Sequence, residues 1–206
     1  MHIRNILNRM EKYKGFVYGK ETWSEEQGRE GIEISIRARV GSRPLCSGCG
    51  EQAPGYDTLP PRRFQYVPLW GFLVFFVYAL RRVECPRCGV TAERVPWAKG
   101  KSPCTIRYAW FLAGWAKRMS WSGVAATFHT TWYHVACAVE QAVEWGREHM
   151  SLEGITAIGV DELAWQRGHH YVTVVYQINE GCKRLLWVGQ NRCVKPLLKF
   201  FHWLGE

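Results

Sequence analysis

The stretch from Cys46 to Cys88 constrains this chain most. It opens with Cys46-Ser47-Gly48-Cys49-Gly50 and closes with Cys85-Pro86-Arg87-Cys88-Gly89, with 35 residues between Cys49 and Cys85. Each Cys-x-x-Cys offers two thiolates on one tight turn, and two such turns supply the four soft ligands of a tetrahedral Zn²⁺. Gly50 and Gly89, each just after the second cysteine of a pair, suit a turn that needs φ > 0. The pattern predicts a zinc ribbon with Cys46, Cys49, Cys85 and Cys88 as metal ligands. The other four cysteines (Cys104, Cys137, Cys182, Cys193) show no spacing logic. No apolar run of secretory type follows Met1-His2-Ile3-Arg4-Asn5. A reducing, cytoplasmic setting with a structural metal is therefore expected, rather than a secreted disulfide framework.

The charge balance points to the partner. A formal net charge of +9 and a pI near 9.3 favour a polyanion, DNA or RNA before a membrane surface. The longest apolar stretch, Val67 to Leu80, is short and interrupted by Pro68 and Gly71, so no membrane span is expected. Hydrophobic content of 47% is that of a globular chain, and eleven tryptophans imply large aromatic cores or interfaces.

Ahead of the cysteines, Ile3, Ile6, Leu7 and Met10 recur at helical spacing, predicting a short basic helix within 1–13. Strands are expected over 15–23 and 31–40, the second from the alternation of Ile32, Ile34 and Ile36 with Glu33, Ser35 and Arg37, joined by a polar turn over 24–30. Between the cysteine pairs, strands are expected at 64–67 and 72–83 around a Pro68-Leu69-Trp70-Gly71 turn. Arg62, Arg63, Arg81 and Arg82 flank this hairpin, as phosphate contacts or as ordinary solvated charge; Arg62 and Arg63 are the candidate DNA contacts.

After a short Ala-Lys-Gly-Lys-Ser linker at 98–102 the apolar period becomes helical. A first helix is expected over 105–117 with Tyr108, Phe111, Leu112 and Trp115 on one face, and a second over 123–128 with Ser122 as N-cap. A third is expected over 132–149, capped by Thr131, with Val135, Val139, Ala142 and Val143 inward. Short helix, three-residue turn and longer helix make a helix-turn-helix arrangement, and Ala125 and Ala126 permit close helix approach. The start of the last helix would enter the major groove, making Thr130, Thr131, Trp132 and His134 the candidate readers. A three-helix bundle that touches no DNA is the competing reading, with His134 at the surface or half-buried and Trp132 in the core.

The remainder reads β-β-β-α: strands over 155–160, 170–178 and 184–188, then a helix over 194–204 with Val194, Leu197, Leu198, Phe201 and Leu204 on one stripe. One face of such a sheet would be left largely uncovered. Exposed apolar surface and low solubility are expected for 155–206. Asp161 closes an apolar strand, where a carboxylate is costly unless it is paired or binds metal. It is a candidate ligand for a divalent ion in two-metal phosphoryl chemistry; pairing with Arg167 or a nearby histidine is the alternative.

Taken together, these motifs resemble bacterial insertion-sequence transposases of the ISL3 group. The resemblance runs from Cys46 through the rest of the chain. It is carried by the two cysteine knuckles, Phe64-Gln65-Tyr66-Val67-Pro68-Leu69-Trp70-Gly71, Tyr108 to Arg118, and Phe128-His129-Thr130-Thr131-Trp132. Its most specific parts are Ile158-Gly159-Val160-Asp161-Glu162 and Trp165-Gln166-Arg167-Gly168-His169. The resemblance implies an α+β multidomain protein: an N-terminal helix and β-hairpin (1–40), a zinc ribbon (41–97), a helix-turn-helix DNA-binding domain (103–150) and an RNase H-like catalytic unit (155–206). It implies structural Zn²⁺ and catalytic Mg²⁺, with Asp161 as catalytic residue and magnesium ligand, matching the first of three metal-binding acids. It also implies double-stranded DNA at the element ends as partner, a possible homodimer, no membrane, and a cytoplasmic, nucleoid-associated location. The second and third acids find no counterpart, since only Glu180 and Glu206 follow Glu162. A truncated, catalytically incomplete RNase H-like unit is thus expected. The alternatives are a DNA strand-transferase completed by a downstream frame or second chain, and a zinc-dependent protein or RNA binding module.

Overall fold

Alternating isoleucines at 32, 34 and 36 require one buried face, and that face sets the architecture of the first half of the chain. The computed structural model describes residues 2–26 and 28–205. The start of the predicted first helix at Met1, the middle of the predicted 24–30 turn at Gln27, and the acid Glu206 lie outside the described residues. The chain forms two compact units, Met1–Arg147 and Glu148–Glu206.

In the first unit, helix α1 (Ile3–Met10) precedes the antiparallel strands β1 (Phe16–Glu26) and β2 (Arg29–Ala38). Both strands run into the region expected to be a turn: Ser24 pairs with Gly31 and Glu25 with Glu30. The next strand is longer than its sequence suggests. β3 spans Gly55–Leu69, not 64–67, and so passes through Pro60, Pro61 and Pro68. Prolines are tolerated because β3 is the edge strand, in the order β1-β2-β4-β3, and because its register slips between Thr58 and Pro61 and between Tyr66 and Leu69. Between β3 and β4 (Phe72–Cys85) only Trp70 and Gly71 remain, at φ 51 and φ 87. Two positive φ values in a two-residue connection match the twist of the flanking strands.

β4 pairs with β2 in parallel, Gly31 opposite Leu73 through Ser35 opposite Val77, and with β5 (Gly89–Ala92) in antiparallel. The sheet therefore crosses the boundary that the sequence suggested at residue 40. Ile34, Phe64, Val74 and Phe76 are fully buried within it. Trp97 fills the centre of this core, its ring 4.8 Å from Phe16, 5.2 Å from Tyr78 and 5.5 Å from Tyr13.

Three helices follow in the same unit: α2 (Ile106–Ala116), α3 (Trp121–Thr127) and α4 (Trp132–Glu148). Thr105 caps α2 by accepting the Tyr108 N–H. Ser120, not Ser122, caps α3 by accepting the Gly123 N–H at 3.1 Å, because the helix already includes Trp121. Tyr108, Leu112, Val124 and Val135 are fully buried between the helices. In α4 the inward residues are Val135 and Ala138, whereas Val143 is exposed. The 17-residue α4 outruns the seven-residue α3, and in its later turns Trp145 packs on Trp110 of α2 with ring centres 5.5 Å apart.

The second unit is an antiparallel sheet, β6 (Ile158–Gln166), β7 (His170–Asn179) and β8 (Cys182–Gln190), followed by α5 (Val194–Leu204). α5 buries Pro196 and Phe200 rather than Val194 and Leu198, which are 68% and 53% exposed. The helix rotation is set where Pro196 sits over Gly189: a Cβ at 189 would lie 2.4 Å from that of Pro196. Among the described residues no helix is long and apolar enough to cross a membrane.

Candidate functional site

The cysteine knuckles are built on the sheet. Cys85 ends β4 and Gly89 begins β5, so the second pair is the turn of a tight hairpin. The first pair is strapped beside it: Ser47 N–H donates to the Ala92 carbonyl, and Arg94 N–H to that of Leu45. Gly50 and Gly89 adopt φ 77 and φ 72, the positive values that their positions demand. The result gathers all four sulfurs, Cys46, Cys49, Cys85 and Cys88, within 4.8 Å of one another. Cys49 and Cys85 Sγ are 3.6 Å apart. A tetrahedral thiolate site with bonds of about 2.3 Å places its sulfurs roughly 3.8 Å apart, so the spacing fits a metal ion.

The electrostatics agree with the geometry. The backbone N–H of Cys49 foremost, then that of Gly48, draws the Cys46 thiol down to about 7, against the effect of burial. Cys88 is pushed up to about 12, first by its shared hydrogen bond with Cys46 and then by burial. One thiolate forms readily, and it discourages the next. A bound cation removes that conflict, and binding then releases protons. Gly48 leaves no room at this centre: a Cβ there would lie 2.9 Å from Cys88 Sγ.

The arginines of the β3–β4 hairpin are committed within the protein. Arg62 donates to the carbonyls of Lys101 and Ser102 and lies over the Phe64 ring. Arg63 pairs with Glu33 at 2.8 Å and lies 4.0 Å from the Phe75 ring centre. Arg81 is held by the buried Glu93, and Arg82 by Asp57.

At the α3–α4 turn, His129 takes φ 51 and turns the chain. Thr131 Oγ1 accepts the His134 N–H at 3.2 Å, the predicted cap of α4. Thr130 Oγ1 lies 3.0 Å from His134 Nδ1. Burial lowers the pKa of His134, which favours its neutral form. Trp132 is not core: it is 54% exposed, beside Trp121 on α3 at 6.2 Å between ring centres. The neighbouring Tyr133, 65% exposed, was not among the residues singled out from the sequence. An i+1 neighbour of a predicted reader carries no periodic signal of its own; only the helix phase reveals it.

Asp161 does not close a buried strand. β6 continues through it to Gln166, and Asp161 is exposed, opposite Val174 of β7. Val174 also faces Val188, while Thr173 and Val175 share the other face with the Gly189–Pro196 contact and Phe200. Strand alternation therefore puts Asp161 on the face away from α5. It accepts the Glu162 N–H at 2.8 Å and makes no ion pair among the described residues, so pairing with Arg167 does not account for it.

Residues 158–206, from the first residue of β6 onward, match a protein family described as transposase, the ISL3 type of DDE transposase. The transposase for insertion sequence element IS1557 of Mycobacterium tuberculosis is 29% identical over 189 residues, which is 89% of this chain and 42% of that protein. The chain is thus similar to bacterial transposases of the ISL3 type. The transposase for IS1001 of Bordetella parapertussis is 25% identical to this chain over 203 residues, 98% of it and 49% of the relative. The chain thus spans about half the length of the curated relatives it matches. No solved structure matches it.

Proposed function

We propose that this chain recognises duplex DNA at the terminal inverted repeats of its insertion sequence, as a zinc-dependent reader. The observation that carries this is the capped α3–turn–α4 unit, which exposes Trp132 and Tyr133 at the start of α4 on a chain of net charge +9. Thr130, Thr131 and His134 shape that helix start, and the two aromatics are its exposed reading surface. Arg62 and Arg63 have intramolecular partners, Arg62 in the segment before α2 and Arg63 in the sheet, so they act as a scaffold. The four cysteines hold a structural Zn²⁺ that fixes the ribbon. They are a closed, all-sulfur set with no open position for chemistry.

We assign Asp161 as one carboxylate ligand of the divalent ions used in strand transfer, on an RNase H-like sheet. Its exposure on an open sheet face leaves its carboxylate accessible to a hydrated Mg²⁺, with Oδ2 free of the Glu162 N–H that Oδ1 accepts. Two-metal catalysis needs several carboxylates to hold both ions, and Asp161 supplies one. Glu180 sits in the β7–β8 turn, away from it in the sheet register. A polypeptide of residues 1–206 is therefore expected to bind element ends without cutting them.

The test is binding of the purified chain to duplexes from the ends of its element and to scrambled duplexes, at roughly physiological salt, with and without a zinc chelator. Preference for the ends that is lost on chelation supports the proposal. Equal, weak binding to both duplexes rejects specific recognition. A preference that survives complete zinc removal separates the helices from the ribbon and rejects the zinc dependence.

A further inference from the structure

The second unit carries a basic pocket that no part of the argument above uses. It lies where the β6–β7 turn meets the end of β8, measures about 230 Å³, and is lined by His169, Tyr171, Asn191 and Arg192. We propose that this pocket binds a phosphate group of the DNA backbone, as a second anchor for duplex outside the helical reader; the DNA source of that phosphate rests on the proposed function.

Four observations support it. The lining combines guanidinium, imidazole, carboxamide and phenol, all hydrogen-bond donors that suit phosphate oxygens. Arg192 and His169 have no carboxylate partner among the described residues, whereas Arg63, Arg81, Arg82 and Arg107 each have one. Both basic groups are ordered by one ring: Arg192 Cζ lies 4.6 Å from the Tyr171 ring centre, and His169 stacks near it at 6.4 Å and 28°. An unpaired guanidinium held by an aromatic face has little rotamer freedom left to lose when an anion arrives.

The fourth is the backbone. His169 and Asn191 both sit in the left-handed region, at φ 63 and φ 70. Asn and His enter this region more readily than most residues with side chains, and it lets the chain turn sharply at the pocket rim. Here Asn191 N–H donates to the Tyr171 carbonyl at 2.8 Å, and Thr173 Oγ1 donates to that of Asn191, also at 2.8 Å. These bonds hold the pocket rim on the sheet. Phosphate contacts position a protein on duplex without reading sequence, so the pocket fixes register while the helices discriminate.

The experiment uses the full chain and two probes. Inorganic phosphate is titrated against chloride at matched ionic strength, with backbone amides followed by NMR. Shifts at 169–171 and 191–192 that vanish in Arg192→Gln are expected; no shift there, or equal shifts in the variant, overturns the pocket. His169→Asn is the companion variant, since Asn tolerates the left-handed backbone. Duplex affinity is then measured against salt: Arg192→Gln is expected to bind about tenfold more weakly and to lose roughly one unit of the log–log salt slope. Unchanged slope and affinity on a duplex that still binds reject the DNA anchor but leave the helical reader standing. Failure of the wild-type chain to bind duplex at all rejects the proposed function and the DNA source, while the phosphate titration still decides the pocket.

Discussion

Glu93 shows what a single buried charge does here. Its carboxylate has no exposed surface and accepts from the Tyr78 hydroxyl at 2.6 Å, from the Arg81 N–H at 2.8 Å and from the Arg81 guanidinium. Burial first, then the bond to Glu93, raises the Tyr78 phenol above its ordinary range. The backbone of Glu93 also bridges to that of Cys46, so this network adjoins the four-cysteine cluster. Removing one partner of a buried pair leaves the other uncompensated. Glu93→Ala is expected to cost the first unit about 3 kcal/mol in urea unfolding; a loss below about 1 kcal/mol would show that Arg81 finds solvent easily. At Gly48 the same logic is steric. With Cys88 Sγ 2.9 Å from an added Cβ, Gly48→Ala is expected to weaken zinc retention in a chelator competition, and unaltered retention would mean that the knuckle relaxes freely.

At the scale of elements, the helices are defined by their caps more than by their apolar stripes. Thr131 ends the turn and starts α4 through one hydrogen bond. Thr131→Ala is expected to cost about 1 kcal/mol in thermal unfolding and to weaken duplex binding more than its stability loss alone explains. His134, one turn into α4, adds a pH dependence. Its folded pKa lies below the ordinary 6.5, so the unfolded chain binds the proton more readily. Its contribution is complete above about pH 6.5 and is lost as pH falls through the lower folded value. Thermal midpoints measured downward from about pH 7.5 should therefore fall more steeply in the wild type than in His134→Gln. Parallel curves would place the acid sensitivity elsewhere.

At the scale of the whole molecule, the two units differ in how much they bury. The first has three buried clusters: a large one in the sheet, one between the helices and one at the cysteines. The second buries Val175, Leu186 and Phe200, while Leu163, Trp165, Leu185, Val188, Val194 and Leu198 are each more than 40% exposed. Less apolar burial means a smaller hydrophobic contribution against the same chain entropy per residue. Limited proteolysis should cut within residues 155–206 before the first unit is attacked. A protease-resistant carboxy-terminal core would contradict this.

Much of the local structure was legible from the residues alone. The Cys-x-x-Cys-Gly pairs determine their own turns, because each pair and its glycine act over five residues. The 3.6-residue period likewise located α2 and α4, the latter with its Thr131 cap, and α5 was placed at 194–204. The same local signals failed where partners are distant in sequence. Three prolines hid the length of β3, since their tolerance depends on an edge position that only the sheet order defines. Of the stripe assigned to α5, Leu197, Phe201 and Leu204 pack on the core, but Val194 and Leu198 are exposed and Pro196 is buried in their place, against Gly189 on another strand. The strand bearing Asp161 proved exposed, and the pocket at His169 and Arg192 joins residues 23 positions apart. Short-range chemistry resides in spacing and can be read from it. Which face is buried, and which charges find partners, is decided only when distant strands meet.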